Sequence, residues 1–462
     1  MSSDAPVTTV NIPFASDLLG LHALDPGRYP ALVESAADES TLGRYDILFG
    51  FPGESLVLHA DGQLRGRSSR NQTNFLDAFD AWWADERSPA SCIEGLPFSG
   101  GWFVLLGYEL ANEIEPRLAL QPDPRQPIGV ALRIPVAIIR DRKSETACIV
   151  AERGHEACIA TVRADLGCLD TEAAPTTDPV VKDLREDDAE DFIQAVSQAQ
   201  AYIAAGDIYQ ANLSRQWTAW LLDSAKPVDI YRRLRETNPA PFAGIVDLPE
   251  MTVISSSPER LLRSDGRIVE TRPIAGTRPR DASDDDADRR AELQSNPKER
   301  AEHVMLIDLE RNDLGRVCKP GTVQVDEFMA IESYAHVHHI VSNVRGELRE
   351  GIKPGDIIRA VFPGGSITGC PKVRCMEIID ELETRPRGVY TGAMGYINRD
   401  GSADLNILIR SIAVMDREVS VATGSGIVAD SDPHLELEET RAKARGLLLA
   451  LAPEGGRGVI DG

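Results

Sequence analysis

The chain has 462 residues, 42% of them hydrophobic and 26% charged, and a formal net charge of −24. That length suffices for a large core and one to three domains, and no apolar run is long enough to span a bilayer. So acidic a surface excludes nucleic acid and anionic membrane as partners, and an anionic small substrate would need a local cation, either a metal or converging Arg and Lys side chains.

The opening MSSDAPVTTVNIPF lacks the basic-then-apolar layout of a secretion signal. Seven cysteines, at 92, 148, 158, 168, 318, 370 and 375, form no CxxC pair. Both features point to a cytoplasmic protein with reduced thiols. Residues 1–168 alternate short apolar runs with turn residues. Segments 45–51, 56–58 and 130–132 through 138–139 read as strands, and 75–83 and 158–166 as helices. Segment 99–116 reads as a glycine turn, a buried strand and a polar helix start. Residues 169–191 are acidic, contain proline and lack an apolar period, which suits a surface connection between two lobes.

A helix over 189–205 follows, closed by Gly206. GDIYQANLSRQW (206–217) reads as a turn and a strand. Next come a helix at 227–237, a strand pair around Val253 and Ile268, and PIAGTRPR (273–280). DASDDDADRR (281–290) is a charge run that reads as a solvated loop. A helix spans 297–312, and 354–361 leads into FPGGSITGCPKVRCMEIIDE (362–381). There a glycine turn feeds a helix with Pro371 in its first turn. It can be a seat for an anion, where free N–H groups and the helix dipole converge, or an ordinary loop-to-helix junction. Strands at 388–397, 404–415 and 419–427 precede a closing helix over 433–451.

Glu299 and Glu302 stand three apart on one helix, and Glu436 and Glu439 repeat the spacing on the last. Each pair alone suits solvated glutamates. Two pairs brought face to face would suit Mg²⁺, which takes a few carboxylates, waters and substrate oxygens. His336, His338 and His339 have no cysteine pair or HExxH pattern beside them, which speaks against zinc. Strand alternation puts His339 opposite the other two, so one inward hydrogen-bonding histidine is expected. Arg410 ends the apolar run 405–409, where its charge demands a partner, best a bidentate carboxylate. Gly424, Ser425 and Gly426 can offer N–H groups to the same anion, and Lys443 a second cation.

Taken together, FPGGSITGCPK, PIAGTRPR, ERAEHVMLIDLERNDLGRV, HVHHIVS, GVYTGAMGY, ILIR and ATGSGIV followed by EETRAKA resemble the chorismate-utilising enzymes over about 185–452. The resemblance implies an α+β fold of two packed, mostly antiparallel β-sheets flanked by helices. It implies an N-terminal lobe over 1–168, a connecting segment over 169–190, a chorismate-binding catalytic region over 191–452 and a tail over 453–462. Carried over by motif, Glu302 and Glu439 resemble Mg²⁺ ligands, with Glu299 and Glu436 reaching the metal directly or through water. Arg410, Tyr390, Gly426 and Lys443 resemble the clamp on the enolpyruvyl carboxylate. Glu259 resembles the acid that protonates the departing C4 hydroxyl, which requires a raised pKa. His339 resembles the histidine beside the ring carboxylate, and Thr277 and Ser366 resemble hydroxyl contacts near the ring.

Gln210, in YQANLSR, occupies the position where family members that add water carry a lysine. A glutamine cannot take a proton from water, so ammonia is the expected nucleophile. FPGGSITG and NPAPFAG (238–244) resemble the aminodeoxychorismate synthase branch, which aminates C4. Ala275 departs from that branch, whose lysine at this position directs ammonia to C4; without it the chain uses ammonia without an enzyme adduct or forms anthranilate by amination at C2. Two motifs against one favour C4. A separate glutamine amidotransferase subunit is implied as the ammonia source. Finally, 29–35 resembles an element that holds tryptophan in relatives through Glu34 and Ser35, and equally reads as a strand edge.

Overall fold

A computed structural model describes residues 7–36, 43–67, 72, 74–88, 95–169, 179–279, 291–293, 296–333 and 337–452. The charge run at 281–290 lies outside them, as do His336 and Cys92. The fold is two large antiparallel sheets packed face to face with helices on the outer surfaces.

The twelve-stranded sheet runs in the order Val7–Ile12, Thr146–Glu152, Val136–Asp141, Tyr45–Gly50, Ala31–Glu34, Phe242–Asp247, Thr252–Ser257, Ser411–Met415, Glu418–Ile427, Gln210–Leu221 and Val181–Glu186. The short strand Gly369–Cys370 joins it beside Gln210 and Ala211. The eleven-stranded sheet runs Ile274–Pro279, Val337–Glu347, Ile268–Thr271, Arg260–Asp265, Ser402–Ile407, Ala393–Asn398, Gly101–Leu106, Gly129–Ile134, Ser55–Leu58 and Leu64–Gly66, with Gln324–Ser333 also beside Val337–Glu347. In both sheets the early strands hold one end and the late strands the other, meeting where Ala31–Glu34 pairs with Phe242–Asp247 and where Gly101–Leu106 pairs with Ala393–Asn398.

The patterning explains the layers. Gln210–Leu221 alternates between buried and half-buried positions, as a strand covered on one face must. Phe49 from the larger sheet meets Phe103 from the smaller across the interior, ring centroids 5.4 Å apart, and Ile47, Val130, Leu105 and Met394 fill the same layer. Outside the smaller sheet, Phe79 and Trp82 of the helix Phe75–Glu86 pack on Trp102. Outside the larger sheet, Leu447 and Leu451 of the helix Pro433–Leu451 join Tyr231 and Leu234. Asp432 caps that last helix by accepting from the N–H groups of His434 and Leu435. Gly206 closes Ala189–Ala205 at φ 82°.

Several expectations change. Residues 181–186 form an edge strand, because Val181 is buried while polar neighbours face out, so the expected connection is partly sheet. Val253 and Ile268 lie in different sheets and do not pair. The run read as one strand over 404–415 is two, Ser402–Ile407 in one sheet and Ser411–Met415 in the other. Pro371 is the N-cap of the helix Lys372–Leu382, not a first-turn residue. Ahead of it come a 3-10 turn, Gly365–Ile367, and the strand Gly369–Cys370, so the glycines do not feed the helix directly. Residues 31–34 lie between two neighbours in the larger sheet, so the strand-edge reading fails. The six described cysteines are free thiols. Among the described residues no helix is long and apolar enough to cross a membrane.

Candidate active site

Two crossovers between the sheets run side by side and set up the site. The chain leaves the larger sheet at Ser257 and enters the smaller at Arg260; it returns from Ile407 to Ser411. The Ser257 hydroxyl donates to the Ile407 carbonyl at 2.6 Å, the Ile407 N–H donates to the Glu259 carbonyl at 3.0 Å, and the Ser256 N–H to the Arg410 carbonyl at 3.0 Å. Glu259 and Arg410 therefore sit on adjoining, mutually braced bends. Arg410 has φ 52°, a left-handed backbone that a non-glycine residue adopts at a cost.

The Glu259 carboxylate is buried and accepts from the Ser366 hydroxyl at 2.7 Å. Burial pushes its pKa up to about 8; Glu310 adds to the rise, while Ser366, the Ile274 N–H and Lys443 oppose it. Glu259 thus holds a proton near neutrality, as a general acid must. The glycine-rich segment serves to deliver Ser366 rather than to seat an anion at a helix end. Lys372, at the start of that helix, is already paired with Asp313 at 2.6 Å.

Around Gly424–Gly426 the acidic helices meet. Gln210 donates through Nε2 to Glu302 Oε1 at 2.6 Å, and its buried Oε1 has no partner. A methyl built on Gly426 would lie 2.5 Å from Gln210 Nε2 and 3.5 Å from Glu302 Oε1, so a side chain there would push the Gln210 amide out of place. The Ser425 hydroxyl donates to Glu436. Lys443 Nζ lies 2.7 Å from Glu439 Oε1 and 2.9 Å from the Gly424 carbonyl. On the other helix, Glu299 Oε2 would lie 2.8 Å from a methyl on Gly276, whose φ is 65°. Burial pushes the Glu302 carboxyl up; Glu299 and Glu439 push the same way, while Gln210 and Lys443 oppose them.

Among the described residues no three His, Cys, Asp or Glu side chains converge to cage a cation unaided. The donors still fit Mg²⁺, which needs few protein carboxylates and takes the remainder of its shell from water and substrate. The repulsion among Glu302, Glu299 and Glu439 is what a dication would relieve.

The residues expected to hold a carboxylate lie close together around Gly424. Arg410 has no ion-pair partner among the described residues, where its position had demanded one; burial lowers its pKa, and Tyr390 and Glu439 oppose that. The Tyr390 hydroxyl would lie 2.8 Å from a methyl on Gly424, alongside Asn212 Oδ1 at 2.6 Å. His339 is buried opposite Thr277 and faces the Gly276 carbonyl across 3.4 Å from Nδ1. Burial, with Arg410, His338 and Lys443 nearby, holds its pKa near 4, so the ring is neutral. His338, the preceding residue of the strand, is buried too, on the opposite face by strand alternation. Ala275 is buried in the same strand, next to Ile274. Thr277 has its backbone there; its side chain lies outside the described residues.

Glu34 and Ser35 are not part of this site. With Pro241, Phe242, Met394 and Tyr396, Glu34 lines a second cavity. Pro241, Phe242 and Ala243 of NPAPFAG thus line that cavity. The sequence reading missed Glu310 and Asp313, although their spacing from Glu302 puts all three on one helical face. It also missed His303, buried with Nε2 2.7 Å from the Ser342 hydroxyl.

A family model described as chorismate binding enzyme matches residues 31–449. The chain belongs to the chorismate-binding enzymes. A Synechocystis anthranilate synthase component I-like protein is 39% identical over 441 residues, covering 94% of this chain and 87% of the relative. The Bacillus subtilis aminodeoxychorismate synthase component 1 is 51% identical over 261 residues, covering 56% of this chorismate-binding enzyme and 55% of the relative. The crystal structure of anthranilate synthase component I from Streptococcus pneumoniae superposes with a TM-score of 0.77 at 31% identity, covering 88% and 93% of the two chains.

Proposed function

We propose that this chorismate-binding enzyme is the aminating component of an aminodeoxychorismate synthase, forming 4-amino-4-deoxychorismate for p-aminobenzoate and folate synthesis. Ammonia from a glutamine amidotransferase subunit replaces the C4 hydroxyl. The observation that carries the reading is the hydrogen bond of Ser366, in FPGGSITG, to Glu259. The segment resembling the C4-aminating branch is thereby in contact with the group assigned to protonate the C4 oxygen. The other supporting motif, NPAPFAG, drops out of the argument, since it lines the second cavity.

Arg410, Tyr390, the N–H groups of Gly424 and Gly426, and Lys443 receive the enolpyruvyl carboxylate. His339, neutral, stands by the ring carboxylate with Thr277. Glu259 gives its proton to the C4 oxygen, which leaves as water with the C–O electron pair. The ammonia lone pair forms the C–N bond and the nitrogen sheds one proton, so chorismate and ammonia become aminodeoxychorismate and water. Gln210 orients Glu302 and offers no base to activate water. Mg²⁺ held by Glu302 and Glu439, with Glu299 and Glu436 in support, would draw charge from the ring and ease departure of the hydroxyl.

A second reading, anthranilate formation with loss of pyruvate, is favoured by Ala275 and by relatives named anthranilate synthase component 1. A third, a chorismate- or tryptophan-binding sensor without turnover, fits poorly with the retained Glu259, Arg410 and four metal-site glutamates. The isolated chain with chorismate, Mg²⁺ and an ammonium salt decides among them by product mass. Aminodeoxychorismate without pyruvate is expected; fluorescent anthranilate with pyruvate would replace this reading by the second, and no product by the third. In the second case Ala275→Lys should divert product towards C4 chemistry, and anthranilate as its sole product would refute the lysine argument.

A further inference from the structure

Behind Glu259 lies a second buried acid that the reaction scheme leaves unused. Glu310, on the helix Pro297–Gly315, is 7% exposed. Its Oε1 would lie 3.4 Å from a methyl on Gly365, the first residue of the turn that carries Ser366. One residue on, the Ser366 hydroxyl reaches Glu259 at 2.7 Å. A turn further along the helix, Asp313 binds Lys372 Nζ at 2.6 Å, and the same ammonium reaches the Val361 carbonyl at 3.3 Å. Helix, turn and acid thus form a continuous set of contacts, closed from behind by Lys372.

We propose that Glu310 is a positioning residue for Glu259: seated behind the Gly365–Ile367 turn, its carboxylate aims Ser366 and its negative charge keeps the proton on Glu259. The inference rests on Glu259 being the proton donor. Both groups respond to burial, which pushes Glu310 up to about 7 and Glu259 to about 8. Asp313 adds to the rise at Glu310, and Lys372, the Thr271 hydroxyl and the Gly365 N–H oppose it. Among the described residues the charged groups that act most on Glu259 are Glu310 and Lys443, of opposite effect. Like charges this close do not ionise together readily, so once Glu310 is charged the second proton stays on Glu259.

The test compares Glu310→Gln with wild type across a pH series of kcat/KM for chorismate, with Mg²⁺ and ammonium. Glutamine keeps the shape and removes the charge. The alkaline limb should move to lower pH, with activity down about tenfold near pH 9, while at about pH 6 the two agree within about threefold and KM is unchanged. A uniform loss at every pH, with the limb in place, would mean a merely structural role and overturn the proposal. Should Glu310→Gln fail to fold, Glu310→Asp carries the test: the retained charge should keep the limb where it is while kcat falls, and a limb displaced towards low pH would overturn it. Glu259→Gln separates the two levels. If that variant keeps turnover, the proton-donor assignment falls and this inference with it; if it is inactive and Glu310→Gln has a normal limb, only the inference falls.

Discussion

Glu34 and Glu302 are carboxylates drawn largely out of solvent, one lining the second cavity and one in the candidate site, and their surroundings differ in kind. Glu34 accepts from the Arg235 guanidinium at both oxygens and from the Tyr231 hydroxyl at 2.8 Å. Glu302 accepts from the neutral Gln210 amide and faces Glu299 and Glu439. Nearby, Arg410 has no ion-pair partner among the described residues, and Gln210 Oε1 is buried without a hydrogen-bond partner. The first carboxylate is complete within the chain. The second sits among other carboxylates, with Lys443 on Glu439 as the nearby cation.

The strongest way to break that comparison is to remove one of the grouped carboxylates. Glu302→Ala or Glu439→Ala should lower ammonium-dependent turnover about a thousandfold or more. The thermal midpoint should hold, because removing either also removes repulsion. Unchanged activity in either variant would end the metal-site argument.

Glu259→Gln ranks next, with a loss of about 10² to 10⁴ in kcat. Its stability effect has a definite sign. The native chain keeps the Glu259 proton up to about pH 8, whereas an unfolded glutamate loses it near pH 4.3. Between those values the native state binds the extra proton, so wild-type stability falls as pH rises. The glutamine variant is spared this and should melt a few degrees above wild type at about pH 8, the gap closing towards about pH 4. A gap that did not vary with pH would show that Glu259 is ionised in the native chain.

Arg410→Lys sharpens the comparison on the cationic side. Lysine keeps the charge but not the planar fork, so KM for chorismate should rise about ten- to a hundredfold with a smaller change in kcat. A KM within error of wild type would place the enolpyruvyl carboxylate elsewhere.

Much of this was legible in the sequence because local rules suffice for it. The three-residue spacing of the glutamates, the Gly206 stop and the period-two pattern of Gln210–Leu221 are set by neighbours along the chain. What was not legible depends on which sheet a strand joins. The apolar run ending in Arg410 looks like one strand, and only the pairing of Ser402–Ile407 and Ser411–Met415 with different sheets exposes the bend that frees the guanidinium. The same holds for NPAPFAG, whose place at the second cavity follows from Phe242–Asp247 pairing with Ala31–Glu34. Motif counting weighed it as evidence about ring position, and topology moves it to another cavity.

The smallest effect on turnover is expected where the charges are already closed. Glu34→Gln leaves Tyr231 an acceptor but deprives Arg235 of its counter-charge, and breaking a fully buried pair costs about 3–5 kcal/mol. The Arg235 side chain is 26% exposed and can turn to water, so the cost should be nearer about 2 kcal/mol. Turnover with ammonium should stay within about twofold, since the hydrogen-bond partners of Glu34 among the described residues, Tyr231 and Arg235, are not residues of the candidate site. Calorimetry beside a kinetic assay checks both halves. A drop in kcat/KM as large as that of Arg410→Lys, in a variant that melts normally, would mean that the closed cavity is wired to the open one and that its ion pair does more than hold two strands and a helix together.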